Sequence, residues 1–157
     1  MGDCCCCSDG LIVTDFDFHS VWTLQASADR VYAVLADAER YSQWWPQIRR
    51  VRATDEHSGS MAIRSAVPLT LLVFGRREVE DPVARHLQVR LSGAMTGWSS
   101  WVVRPAESGC VADFRQQVAV FGALGLASKI AKPVFEWNHE AMMRGGHRGL
   151  SAYLSQP

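Results

Sequence analysis

Few side chains in this chain combine reactive chemistry with a position from which to use it. His139 sits on the inward edge of a helical stripe, and an imidazole that titrates near neutrality can move protons. No carboxylate stands at a spacing that would orient it, so a structural bond to backbone or water is the competing reading. Arg77 and Gln116 fall on the inward parity of two expected strands. A guanidinium or amide buried there without a partner is costly, and a ligand, a water or a carboxylate would relieve it. Arg77 has the alternative of reaching solvent if a bulge shifts its strand, and Gln116 that of a structural hydrogen bond. His19, His57, His86 and His147 fall on exposed strand faces, turns or the outer helix face and are assigned nothing. There is no nucleophile elbow, no phosphate-cradling glycine loop and no His/carboxylate metal constellation. No catalytic residue is therefore assigned, and neither a metal nor another cofactor is expected.

The cysteines do not change this. Cys4, Cys5, Cys6 and Cys7 are consecutive, and adjacent thiolates cannot easily wrap one tetrahedral ion. Beside Gly2 they resemble an acylation cluster, but Cys6 occupies the place where a myristoylation pattern requires Ser or Thr. Residues 1–15 are expected to form a disordered Cys-rich tail and residues 16–157 a single domain, for which 48% hydrophobic composition supplies enough core. Cys110, alone on an expected strand, reads as a small buried hydrophobe. Sixteen basic residues balance sixteen acidic ones and are dispersed apart from Arg49, Arg50, Arg52 and the pair Arg76, Arg77, which leaves no basic face for nucleic acid. No apolar run is long enough to be a secretory leader or to insert stably in a membrane, so a cytoplasmic location is expected. Nothing identifies a protein partner.

The elements that must position these groups follow from periodicity. Phe18 to Ala26 alternates as a strand, with Ser20, Trp22 and Leu24 on one face. Ser27 is an expected helix N-cap, Asp29 suits the first turn, and Val31, Tyr32, Val34 and Leu35 form a helical stripe. Glu39 to Trp44 makes a second short helix, stopped because a residue before Pro46 is driven from the α region. The resulting corner carries Tyr41, Trp44 and Trp45, and so large an apolar load must plug either a core end or the mouth of a cavity.

Beyond the corner, residues 48–55, 60–67, 69–81, 85–93, 95–104 and 110–121 each read as strands separated by turns too short for parallel crossovers. With the first strand they make a seven-stranded antiparallel sheet. Leu126 to Leu154 must cover it as a long helix whose stripe includes Phe135, Asn138, His139, Met142, Gly146, Gly149, Leu150 and Tyr153. Pro133 is tolerable only near its start. Gly145, Gly146 and Gly149 together cost about 2 to 3 kcal/mol against alanine, so a close approach or a hollow should justify them. The parity that turns most charges outward puts Met61, Ile63, Ser65, Arg77, Val79, Leu87, Val89, Leu91, Ser99, Trp101, Val103, Phe114, Gln116 and Val118 on the concave face.

This order of elements, with residues 24–32, the corner at 37–46, Val79-Glu80-Asp81-Pro82, residues 101–105, Asn138-His139, residues 143–146 and Gly149-Leu150, resembles the START-like helix-grip superfamily and its polyketide cyclase/dehydrase-type single-domain proteins. The resemblance covers about Val21 to Leu154. It implies an α+β fold in which a curved seven-stranded antiparallel sheet wraps a long C-terminal helix, with two short helices between the first and second strands. It also implies an apolar cavity between sheet and helix that takes lipids, polyketides or similar molecules, but no universal catalytic residues. Of Trp98 and Trp101, which face opposite ways, the family match favours Trp101 as cavity lining. The expected ligand-binding set is Ser65, Arg77, Trp101, Phe114, Gln116, Asn138, His139 and Met142. The implied function is binding or transport of a hydrophobic small molecule. The alternatives are an aromatase/cyclase in which Arg77 or His139 assists enolisation, and a protein-interaction module built on the aromatic corner.

Overall fold

The computed structural model describes residues 13–64, 70–121 and 128–156. The first strand, β1, runs Val13–Leu24 and starts five residues before the expected alternation, because Phe16 is buried and extends the inward series of Trp22 and Leu24. Ser27 caps α1 (Ala28–Ala36) as expected, its hydroxyl accepting from the Arg30 amide at 3.3 Å. A 3-10 turn at Ala38–Arg40 leads into α2 (Tyr41–Trp44), and Trp45 is extended at φ −103°, ψ 102° ahead of Pro46.

The remaining strands are β2 (Ile48–Ala53), β3 (Ser58–Arg64), β4 (Thr70–Asp81), β5 (His86–Gly93), β6 (Thr96–Ala106) and β7 (Gly109–Phe121). All neighbours pair antiparallel, in the order β1-β7-β6-β5-β4-β3-β2. Most of these strands begin within one or two residues of expectation, β3 at Ser58 against an expected start at residue 60, and two of the shifted ends have a local cause. Asp55 leaves β2 because its carboxylate accepts the His57 amide at 2.8 Å and so folds the turn locally. Pro105 stays in β6, opposite Cys110, since the hairpin turns only after Ala106 pairs with Gly109. The end of the expected third strand, Ser65 included, lies outside the described residues, as do the Cys4 to Cys7 tail and the loop at 122–125.

The chain closes with α3 (Ser128–Leu154), which contains Pro133 in its second turn, where the helix lacks few of its bonds. The fold is thus α+β: a seven-stranded antiparallel sheet, two short helices between β1 and β2, and a long C-terminal helix. No described helix is long and apolar enough to cross a membrane. The core falls into two groups of buried side chains. One joins the aromatic corner to Trp22, Leu35, Val103, Cys110 and Leu150; the other gathers Phe16, Val73, Leu91, Val118 and Val120. What separates them is a cavity.

Candidate functional site

The cavity has a volume of about 580 Å³, inside the range of roughly 300 to 1,000 Å³ typical of small-ligand sites. Its wall draws on both core groups, with Val73, Leu87, Leu91, Trp101 and Phe114 from the sheet, Met142 from α3, and Tyr41 and Trp45 from the corner. Alternation explains the strand contribution, since every second residue of β3 to β7 points at the helix. Asp37, Glu39, Arg52, Asp55, Glu56 and His57 also border it, and since all of these but the half-buried Asp37 are exposed, this rim is where the cavity meets solvent and serves as its mouth.

One transverse row crosses this apolar wall with polar groups. Strand register aligns Arg77 with Val89, Val89 with Ser99, Ser99 with Gln116, and Gln116 with Phe18. Arg77, Val89, Ser99 and Gln116 all line the cavity. A bulge does occur in β4, but between Arg77 and Val79, so Arg77 keeps its inward parity. Its side chain is 34% exposed and its guanidinium pairs with Glu80. Its amide donates to the His57 carbonyl at 2.7 Å, which fixes that end of the row beside the mouth. Gln116 is deep, at 8% exposure, and its amide nitrogen meets the Met95 sulfur at 3.8 Å, a weak acceptor that leaves most of its hydrogen-bonding capacity unused.

His139 does not line the cavity. Its ring lies flat on Phe18, with centroids 3.7 Å apart and planes 6° from parallel, and 6.0 Å from Phe114 on the cavity wall. It is 8% exposed, and Nε2 has no hydrogen-bond partner among the described residues. Burial lowers its pKa from 6.5 to about 4, so the ring is neutral at physiological pH. It closes an aromatic chain that runs from Trp45 through Trp22, Trp101 and Phe114, of which Trp45, Trp101 and Phe114 form part of the cavity wall and Trp22 lies behind it. Asn138 faces elsewhere, into a smaller pocket of about 230 Å³ formed with Gln47, Arg49, Arg64 and Met142. Of the expected ligand-binding set, the structure therefore brings together Arg77, Trp101, Phe114, Gln116 and Met142; His139 backs the wall and Asn138 lies outside it.

The corner does both things its composition allowed. Trp44 and Trp45 are each 4% exposed and stack at 5.2 Å, sealing the core end, while Trp45 and Tyr41 also face the cavity. The Trp45 indole donates to the Met142 carbonyl at 3.0 Å, and the Tyr41 hydroxyl donates to the Leu35 carbonyl at 2.5 Å. Burial raises the Tyr41 pKa, and the phenol stays protonated. The helix glycines serve this close approach, not a hollow. A Cβ on Gly146 would come within 2.5 Å of the Trp45 ring, one on Gly145 within 2.6 Å of the Gln47 amide, and one on Gly149 would overlap the Trp44 carbonyl oxygen. Tyr41, Trp45 and Ser99 are wall residues absent from the expected ligand-binding set. Ser99 is visible by parity, whereas Tyr41 and Trp45 need the three-dimensional turn of the corner.

Among the described residues no group of three His, Cys, Asp or Glu side chains could hold a metal ion. The family profile described as "Polyketide cyclase / dehydrase and lipid transport" matches residues 15–155. No curated protein matches the chain. Among solved structures, the chain is similar to the ZhuI aromatase/cyclase from Streptomyces sp. R1128, with 16% identity, TM-score 0.68, and coverage of 90% of this chain and 93% of that one. A START superfamily protein from Mycobacterium smegmatis shows 11% identity and TM-score 0.65 over 94% of this chain and 99% of its own. A protein from Thermus thermophilus shows 15% identity and TM-score 0.66 over 88% of this chain and 99% of its own. At these identities the likeness is one of fold.

Proposed function

The chain belongs to the polyketide cyclase/dehydrase and lipid transport family, and from that premise we propose that it binds and carries a hydrophobic, oxygen-bearing small molecule in the cavity between sheet and α3. The observation that carries this reading is the composition of the wall: an apolar hollow crossed by the polar row of Arg77, Ser99 and Gln116. Three strand steps of about 4.8 Å separate Arg77 from Gln116, so the row spans about 14 Å along the sheet. A long, mostly apolar molecule with an oxygen near each end would satisfy both. Because Glu80 already balances the charge of Arg77 and four carboxylates border the mouth against one further cation, Arg52, a neutral carbonyl or hydroxyl suits this end better than a free acid.

A second reading, an aromatase/cyclase, is favoured by one feature: a guanidinium on the wall can polarise a ligand carbonyl as negative charge develops on it. Enolisation also needs a group to take the proton. The described groups that could take one, Asp37, Glu39, Asp55, Glu56 and His57, border the mouth, and His139 sits behind the wall. That distribution supports the carrier. Native mass spectrometry of the protein as purified should find a co-purifying apolar molecule, and an apolar fluorescent probe should be displaced by it. A cavity that takes no probe and yields no bound mass would overturn the reading; turnover of a poly-ketone would replace it with the enzyme.

A further inference from the structure

The smaller pocket lies at the junction of the corner, the β2–β3 pair and α3, and Met142 is the residue it shares with the main cavity. Its two charged members are arginines from adjacent strands, Arg49 and Arg64. Elsewhere on the surface, Arg40, Arg77, Arg85, Arg90, Arg104, Arg115 and Arg144 each stand within ion-pair distance of a carboxylate. Arg49 and Arg64 have no such partner among the described residues, which is also true of Arg30, Arg50, Arg52, Arg76 and Arg148, but these two border one small concavity together. Gln47, beside them, has a buried side-chain oxygen with no hydrogen-bond partner among the described residues. Half a turn of that amide exchanges its carbonyl and its NH2, so it can meet a bound oxyanion with a donor.

We propose that this pocket, formed by Gln47, Arg49, Arg64 and Asn138, binds a phosphoryl group. Two guanidiniums offer paired, directional donors that match the oxygens of a phosphate. A volume of about 230 Å³ is too small for a whole drug-sized ligand and suits a head group. Its placement is independent of the carrier function, since neither arginine lines the main cavity. The phosphoryl group can arrive on a lipid head group or on a free phosphorylated molecule. In the first case the exposed Trp137 and Val134, one and two turns before Ala141 of the pocket on α3, would meet the membrane beside the arginines.

The test uses the full-length ¹⁵N-labelled chain titrated with inorganic phosphate at low ionic strength, where screening is weak. The side-chain amides of Gln47 and Asn138 should shift saturably, and the Arg49→Ala/Arg64→Ala double variant should bind phosphate at least tenfold more weakly. Both arginines are exposed, and an unchanged affinity of that variant for the apolar probe of the main cavity would show that it is folded. Co-sedimentation with phosphatidylcholine vesicles, with and without phosphatidic acid, separates the two sources. Capture of the wild type but not the double variant by phosphatidic acid supports a lipid head group. Phosphate binding without capture supports a free molecule. Absence of saturable shifts together with absence of capture, or equal phosphate binding by wild type and double variant, overturns the proposal, whatever the main cavity is found to hold.

Discussion

Replacing His139 with phenylalanine should remove part of the acid sensitivity of the fold. The imidazole is 8% exposed, stacked at 3.7 Å on Phe18, and its Nε2 finds no partner among the described residues. Burial therefore depresses its pKa from 6.5 to about 4. Below pH 6.5 the unfolded chain takes up a proton that the folded protein refuses, so stability is full above that pH and falls until the folded group titrates near 4. At about 1.36 kcal/mol per pH unit, the loss attributable to this one ring is at most about 3 kcal/mol across the window. A phenyl ring keeps a flat partner for Phe18 and carries no proton. Urea unfolding measured at steps from pH 7 to 4 should show wild type losing up to about 3 kcal/mol more than the variant, with carboxylate contributions cancelling between the two. Parallel curves would refute the argument. So would an NMR titration of the His139 ring with a midpoint near its ordinary value, because either result would mean that the ring is solvated or paired.

Gly149→Ala should destabilise by about 1 to 3 kcal/mol or more in chemical denaturation, despite alanine's better helix propensity, because the new Cβ would displace the Trp44 carbonyl and with it the corner. Gly145→Ala should be milder, since the group it meets is the flexible Gln47 side chain. In probe binding, Phe114→Ala should change affinity for every apolar ligand, whereas Arg77→Ala should weaken only ligands bearing a carbonyl or carboxylate, by about 1 to 3 kcal/mol; a uniform loss would make Arg77 a support of the fold. Deleting Met1 to Asp9 should leave the thermal midpoint unchanged, and a fall of several degrees would show that the tail has a structural role.

The sheet was legible because period two is a strong signal when one face is covered. Of the residues that parity assigns inward, Met61, Ile63, Arg77, Val79, Leu87, Val89, Leu91, Ser99, Trp101, Phe114 and Gln116 line the cavity, whereas Val103 and Val118 are buried in the two core groups beside it and Ser65 lies outside the described residues. A helix gives a weaker signal, since 100° steps spread its residues continuously round the axis. His139 and Asn138 fall within one stripe, yet a rotation of a few tens of degrees takes the first behind Phe18 and the second into a separate pocket. Met143, 3% exposed, is missing from that stripe for the same reason. The role of the glycines could not be read because a missing Cβ looks the same in sequence whether it makes room for a ligand or for a neighbouring chain segment. Only the position of the Trp44 carbonyl and the Trp45 ring decides between them.

That decision explains how the fold tolerates a hollow interior. A cavity of about 580 Å³ forfeits contacts that a close-packed core would make, and the loss must be offset elsewhere. The last turns of α3 supply the offset: Gly145, Gly146 and Gly149 let the helix approach the corner closely, while Met143, Leu150 and Leu154 bury themselves in the same group as Trp22, Trp44 and Trp45. One turn earlier, Met142 already faces the cavity. The same helix thus seals one end of the curved sheet at backbone contact distance and stands off from it at the other. Changes at the sealed end should act on stability, whereas changes along the Arg77 to Gln116 row should act on what is bound. A substitution such as Trp45→Leu should lower both the unfolding midpoint and probe affinity, because Trp45 bonds the Met142 carbonyl through its indole and also contributes to the wall.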